Sequence, residues 1–424
     1  MESQSKGNYR WVILALLFAA TTINYFDRIV LSVLIPEIKK DLGIDNIAYG
    51  YIVSAFQLTY TFGAIAAGWV IDRVGTKLGY TLSIFFWSVA AAMHCFCRTA
   101  FGLGFWRGML GLTESGNFPV AIKSVSEWFE PKERSFATSL FNSGTSIASV
   151  IGPPVIVAIT LSVGWRWTFF AFGSLGFVLA IVWQFAYKSP GSVQAPDYGI
   201  PPAKRLPGQG GQAVSVSMSR LLDVLKYKQT YGIMAGKFLT DPVWWFYLIW
   251  MPNYLSEKRG FDLKAIGIAI PVVYVSAALM GYAGGWLPGY FMKQGWSVGR
   301  ARKVTMLLCA LMLPISAFAV KVNNPWLAIM LMSLACGAHN GWMANIFTLS
   351  SDCFPPSAVG SVTGLAGFGG GLGAFLVSTF ATGYIITWFG YVPIFVLMGI
   401  LHPLAFLIIC VLIKDVKIVG DGIG

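Results

Sequence analysis

KSPGSVQAPDYGIPPAKRLPGQGGQAVSVSMSRLLDVLKYKQ, residues 188 to 229, is the one long polar stretch in a chain of 424 residues, and six long apolar runs lie on each side of it. Its first part is rich in Pro and Gly and reads as a linker, while SMSRLLDVLK, opening on Ser217, reads as a short interfacial helix. A bilayer core about 30 Å thick takes roughly 20 apolar residues per helical pass. Runs of that length fall at 11–35, 49–72, 78–97, 100–127, 136–161 and 166–187 before the linker, and at 229–255, 265–292, 302–320, 324–350, 357–385 and 391–413 after it. The expectation is an all-α integral membrane protein of twelve transmembrane helices: a first six-helix half over 1–187, a linker over 188–228 and a second half over 229–424. Unalternated runs of this length exclude an outer-membrane barrel.

Composition agrees. The chain is 56% hydrophobic and 11% charged, with a mean hydropathy of +0.66, far from soluble domains. Placing the termini and every second loop on one side gathers 18 of the 30 Lys and Arg there, against 8 opposite. Both termini and the linker are therefore expected in the cytoplasm. This bias accounts for the formal charge of +12 without nucleic acid as a partner. The first span is long and has no small-residue cleavage site, so it reads as an uncleaved helix. His94, Cys95 and Cys97 cluster but lack a second ligand pair, and no metal site is expected. The absence of any N-x-S/T sequon fits a bacterial inner-membrane protein.

The halves resemble each other. A shift of 225 residues lays WFEPKERSFATSLFNSG (from Trp128) on CFPPSAVGSVTGLAGFG (from Cys353), pairing Phe129 with Phe354, Pro131 with Pro356, Thr138 with Thr363, Leu140 with Leu365 and Gly144 with Gly369. A shift of 217 lays Gly68-Trp69 on Gly285-Trp286. Two parallel six-helix units related by an axis along the membrane normal are a transporter plan, with substrate near the midplane between them.

GWVIDRVGTK, Gly68 to Lys77, falls between the second and third spans and resembles the cytoplasmic loop signature of the major facilitator superfamily. The resemblance implies a gate motif in which Gly68 packs closely, Asp72 and Arg73 form a charge pair, Gly75 makes the turn and Lys77 lies beyond it. In the second half Gly289 stands at the acid position, which leaves a matching charge lock there without its acid.

NYFDR in the first span puts Asp27 and Arg28 at bilayer depth, where ionisable groups are costly and face a cavity or a partner. The fourth span reads FWRGMLGLTESGNFPVAIK, with Arg107 and Glu114 two helical turns apart on one face and Asn117 near it. Such charges can serve only to fix helix packing, but removing four of them from water is a costly way to do so. The alternative is proton coupling. Low dielectric makes an acid hold its proton and a nearby guanidinium loosens it, so an acid whose Arg partner turns to a substrate changes its protonation state. Arg28 or Arg107, with a planar fork that matches a carboxylate, is expected to bind an anionic substrate while Asp27 and Glu114 carry protons. Which acid does which task stays open.

The pattern resembles the anion:cation symporter branch of that superfamily over nearly the whole chain. Its carriers are NYFDR, RGMLGLTESGNFP, SEWFEPKERS and LSSDCFPPSAVGSVTGLAGFGGGLG (Leu349 to Gly373). Bacterial members of this branch carry sugar acids, and animal members include sialic acid and vesicular glutamate transporters. The resemblance ties Asp27, Arg28, Arg107 and Glu114 to proton and substrate binding. KFLTDPVWW (Lys237 to Trp245) and GTKLGY (Gly75 to Tyr80) look like the hexuronate transporters. Lys237 and Asp241, one turn apart, read as a mutually neutralised structural pair, and Pro242 marks a kink where a gate can flex.

A polyol acid needs a cationic clamp, hydrogen-bond partners and an aromatic wall for its C–H faces. Candidates are Tyr25, Tyr60 and Asn142 in the first half, with Trp244, Trp245, Tyr247, His339, Asn340 and Asn345 in the second. His339 falls on Glu114 under the 225-residue shift. The glycine-rich run GFGGGLG (Gly367 to Gly373) lies within an apolar span and reads as close helix packing, not nucleotide binding. No Walker loop, H-E-x-x-H pair or nucleophile elbow occurs, so neither a pump nor an enzyme is expected. The reading is a proton-coupled importer of a hexuronate, working as a monomer without a cofactor, with aldonates, aldarates and other organic anions next. Sodium coupling stays open. An antiport exporter is disfavoured by two cavity arginines, and a sensor by the lack of a sizeable cytoplasmic domain.

Overall fold

The computed structural model describes residues 2–129, 133–188 and 223–419. Most of the linker lies outside the described residues, including the first part, 217–222, of the helix expected from Ser217. The first half comprises α1 (Glu2–Leu42), α2 (Asn46–Val74), α3 (Thr76–Met93), α4 (Ala100–Glu114), α5 (Asn117–Trp128) and α6 (Arg134–Ala186). The second comprises α7 (Lys228–Arg259), α8 (Leu263–Lys293), α9 (Val298–Ser316), α10 (Pro325–Cys353), α11 (Pro356–Gly373), a π-helix (Ala374–Ala381), α12 (Thr382–Phe389) and α13 (Tyr391–Leu412).

Eight helices among the described residues are long and apolar enough to cross a membrane. The expected spans 136–161 and 166–187 fall in the single helix α6, which breaks at Gly164, where a φ of 84° suits glycine alone. The expected span 100–127 is two shorter helices, α4 and α5, interrupted at Ser115 and Gly116. The spans 49–72 and 229–255 lie within α2 and α7, which carry Ser54, Gln57, Lys237 and Asp241. Large exposed apolar side chains such as Phe101, Phe185 and Tyr282 cover the outer wall, as contact with hydrocarbon requires.

Local chemistry repeats between the halves. Asp45 caps α2 by accepting from the Ala48 N–H at 2.7 Å, and Asp262, 217 residues on, caps α8 by accepting from Ala265 at 2.8 Å. Phe129 and Phe354 both end a helix in extended conformation, their N–H groups bonded to the carbonyls of Val125 and Ser350. Gly144 leaves room for the α1 backbone at Phe18, and Gly369 for the α7 backbone at Met234.

Contacts between the halves gather on the side away from the linker. Lys39 of α1 pairs with Glu257 of α7, and Lys39 also donates to Asn46 at 2.9 Å. Asn253 donates to Asn46 at 2.9 Å and to the Tyr391 hydroxyl at 2.7 Å, and Tyr391 in turn donates to Glu257 at 2.9 Å. One turn inward, the Tyr49 hydroxyl donates to the Ile249 carbonyl at 2.9 Å while its ring stands edge-on to Trp250. Gly50 and Gly383 let α2 and α12 touch along their backbones.

This lock resists acid. Burial pushes the Glu257 carboxyl up, but the bonds from Lys39, Tyr391 and Asn46 outweigh it and hold the group below its ordinary range. A lowered pKa in the closed form means its contribution is complete above the ordinary value, about 4.3, and is lost only as pH falls through the lowered one. Ser32, two turns inward of Lys39 on α1, is buried beneath the lock. Because the thiolate is the reacting species, rates are compared with that of a free thiol at the same pH, and a cysteine at Ser32 is expected to react with a membrane-impermeant maleimide applied from that side at the same small fraction of the free-thiol rate from pH 8 to pH 5. Adding Glu257→Gln is expected to raise the rate about fivefold, as loss of a partly exposed pair implies. An acid-dependent rise in the parent would contradict this account.

Candidate functional site

Gly108 and Gly111 decide how α4 meets its neighbours. A side chain at Gly111 would collide with the Phe56 carbonyl of α2, and Gly108 lets the Thr59 hydroxyl donate to its own carbonyl at 2.7 Å. This close approach brings Arg107 and Glu114 onto α1. Successive residues of a helix project about 100° apart, so Asp27 and Arg28 cannot face the same way.

Arg28 turns to Glu114, its Nε donating to Oε2 at 2.9 Å with both side chains buried. Its guanidinium lies 4.3 Å from the Tyr60 ring centroid and within 5.6 Å of those of Tyr25 and Phe56, so three rings surround it. Phe56 and Tyr60 stack one turn apart on α2. Phe56 escaped the sequence reading, although its spacing from Tyr60 marks a shared face.

Arg107 makes no ion pair with either acid. Its two terminal nitrogens donate to the backbone carbonyls of Asp27 and Arg28 at 2.9 and 2.6 Å, and its guanidinium lies over Phe56. Among the described residues Asp27 thus has no arginine on its carboxylate, so the four charges meet without forming a closed salt-bridge cluster. Asp27 Oδ2, Arg28 Nη2 and Glu114 Oε1 are buried without a hydrogen-bond partner among the described residues.

The site continues across the seam. Trp244 of α7 donates through Nε1 to the Tyr25 hydroxyl at 3.4 Å, and its ring stacks on His339 of α10 with centroids 5.8 Å apart. His339 Nδ1 lies 3.3 Å from His402 Nε2. A continuous line of contacts therefore runs Glu114, Arg28, Tyr25, Trp244, His339. Trp245, half-buried, packs against the core of both halves.

Other candidates tie helices together. Asn117 accepts from the Tyr80 hydroxyl and donates to Thr21 at 3.5 Å, joining α5 to α3 and α1. Asn340 and Asn345 donate to carbonyls of α8, at Ala277 (3.2 Å) and Gly284 (3.0 Å). Tyr247 donates to Ser316 at 3.4 Å and packs on Phe246 and Phe395, away from Arg28. Asn142 is exposed on α6.

In the gate motif, Gly75 separates α2 from α3 with a φ of 87°, and the Lys77 carbonyl accepts from Trp183 at 3.2 Å. Arg73 is exposed; Gly68 and the Asp72 side chain lie outside the described residues. The second half has a charge pair at its linker end, but built from Arg302 of α9 and Asp352 of α10.

Lys237 and Asp241 form an ion pair of 3.0 Å, with the ammonium 4.4 Å from the Phe347 ring centroid. The glycine run of α11 fits around this pair. A side chain at Gly370 would strike the Asp241 carboxylate, one at Gly373 the Phe238 carbonyl, and one at Gly371 would meet Thr61 of the other half.

Residues 17–378 match the family described as Major Facilitator Superfamily. The chain belongs to that superfamily. It is a multi-pass membrane protein of a transporter family, not an enzyme. It is 31% identical over 418 residues to a hexuronate transporter of Escherichia coli strain K12, covering 96% of this chain and 94% of the relative. It is 29% identical over 429 residues to a D-galactonate transporter of Escherichia coli O6:H1, covering 98% of each. Its fold matches the crystal structure of a bacterial homolog of the human lysosomal transporter Spinster, in an inward-facing and occupied conformation. That match has a TM-score of 0.76 and 17% identity, covering 96% of this chain and 97% of that one.

Proposed function

We propose that the chain is a proton-coupled symporter that imports a sugar acid, with a hexuronate as the leading substrate. It works as a single chain in a bacterial inner membrane, with termini and linker in the cytoplasm. The observation that carries this reading is one buried arginine, Arg28, boxed by aromatic rings and bonded to one carboxylate, Glu114. A substrate carboxylate is a direct competitor for the Arg28 fork. When it takes that fork, Glu114 is left as an unpaired buried acid and takes up a proton; when substrate leaves, Arg28 returns and the proton goes. Asp27, beside the fork and without an arginine of its own, supplies the second protonatable carboxylate. The aromatic wall of Tyr25, Tyr60 and Trp244 suits the C–H faces of a pyranose.

A monocarboxylate fits better than an aldarate. Arg107 is spent on backbone carbonyls and Lys237 on Asp241, so neither stands ready for a second carboxylate. Aldonates share the single charge and differ in lacking the ring.

The test is uptake of labelled glucuronate, gluconate and glucarate into proteoliposomes under an inward proton gradient or an inward sodium gradient, with Asp27→Asn beside the parent. Proton-driven accumulation of glucuronate, lost in Asp27→Asn, is the expected result. Accumulation driven by sodium alone would overturn the proton reading, and uptake of gluconate without glucuronate would move the substrate to the aldonates.

A further inference from the structure

Beyond the transport path, a cavity of about 450 Å³ opens at the linker end of the second half, where α7 begins and α13 ends. Lys226, Lys228, Lys414 and Lys417 line it together with the apolar Val411 and Leu412. The chain after α13 folds back to form one wall and is pinned there. The Val419 N–H bonds to the Cys353 carbonyl at 2.8 Å, Lys303 donates to the Lys414 carbonyl at 2.7 Å, and Gly299 gives Val416 room to pack.

Charge in the cavity is one-sided: four lysines against one aspartate, Asp415, which lies 3.8 Å from Lys417. Lys226 leans on Asp223 at 2.7 Å, outside the lining. Lys228 and Lys414 form no ion pair among the described residues. Lys228 also opens a 32-residue helix, whose N-terminal end carries the positive end of its dipole. Solvation of scattered lysines is the ordinary outcome of the positive-inside bias. Here, though, they converge on one concave site whose other face is hydrocarbon-like. Val411 and Ile418 are strongly exposed, at 67% and 59%, at the mouth of the cavity and level with the end of a membrane-spanning helix.

We propose that this cavity binds the phosphodiester headgroup of an anionic phospholipid, with an acyl chain laid against Val411 and Ile418. The lysines alone would serve any phosphate-bearing anion. The apolar mouth at membrane depth commits the site to a lipid, since a free anion gains nothing from it. Because neither Arg28 nor its surroundings takes part, this site stands whatever the substrate proves to be.

The test is native mass spectrometry of the full chain released from nanodiscs of equal phosphatidylglycerol and phosphatidylcholine, with excess inorganic phosphate added in a parallel arm. The parent is expected to retain one phosphatidylglycerol in preference to phosphatidylcholine by at least about tenfold. Lys226→Gln, Lys228→Gln, Lys414→Gln and Lys417→Gln together are expected to abolish that preference, and Val411→Ser with Ile418→Ser to weaken it. Lys293→Gln, at the same end but outside the cavity lining, is expected to preserve it. Should the fourfold variant fold poorly, Lys228→Gln with Lys414→Gln carries the test. No preference in the parent, or one that survives loss of the lysines, would overturn the proposal. Displacement of the lipid by inorganic phosphate would instead assign the cavity to a free anion.

Discussion

Arg107→Lys is expected to lose sugar-acid uptake almost as fully as Arg107→Ala, with initial rates in proteoliposomes down by at least about tenfold in both. Arg107 spans two consecutive carbonyls of α1, those of Asp27 and Arg28, from one rigid fork. Hydrogen bonds from a charged donor contribute about 1.5–3 kcal/mol each, and an ammonium can hold only one of these carbonyls in good geometry. The stem of a lysine is also shorter and its head more strongly hydrated, so burying it against Phe56 replaces a favourable ring contact with a desolvation cost. On the proposed reading, the pair that would meet proton and substrate, Asp27 and Arg28, is carried on the backbone Arg107 holds, so a slack α1 misplaces both. Uptake by the lysine variant at the parent's rate would show that charge alone suffices and would remove Arg107 from its positioning role.

Glu114→Gln should separate two activities that usually fall together. Glutamine keeps the shape and can still accept from Arg28 Nε, but it carries no charge and no exchangeable proton of the right affinity. Breaking a buried pair by neutralising one partner costs about 3–5 kcal/mol in stability, since Arg28 stays charged. An anionic substrate restores the missing countercharge. The variant is therefore expected to bind glucuronate more tightly and to gain more thermal stability from it than the parent does. Counterflow exchange should persist while proton-driven accumulation falls by at least about tenfold. Equal loss of exchange and accumulation in a folded variant would mean that Glu114 shapes the site instead of coupling it.

What the residues disclosed in advance follows from what membranes penalise. Asp27, Arg28, Arg107 and Glu114 stand out because charge in an apolar run demands a reason. Their pairing does not, because a guanidinium reaching for backbone carbonyls leaves no mark in the amino-acid order. Asn340, Asn345 and Tyr247 are polar at the right depth for a sugar site, yet they bond to carbonyls and a hydroxyl of neighbouring helices. A polar side chain that ties helices obeys the same need for a partner as one that faces a cavity, so polarity alone cannot tell them apart. Lys39 and Glu257 were only charges at span ends until the fold brought them together across 218 positions. The run GFGGGLG was legible as packing, while its partners, an ion pair on α7 and a threonine of the other half, belong to the tertiary structure. The break after Glu114 was hidden because apolar residues continue through Asn117–Trp128.

The lock around Lys39, Asn253 and Glu257 has a bearing on the economy of the cell. On the topology and import proposed above, the closed face is the external one, and a carrier resting with that face locked would be reached by its substrate from the cytoplasm. Sugar acid that builds up inside would then load resting carriers from within and withdraw them from the inward cycle. Import would slow as the internal pool fills, a self-limiting influx that needs no regulatory domain.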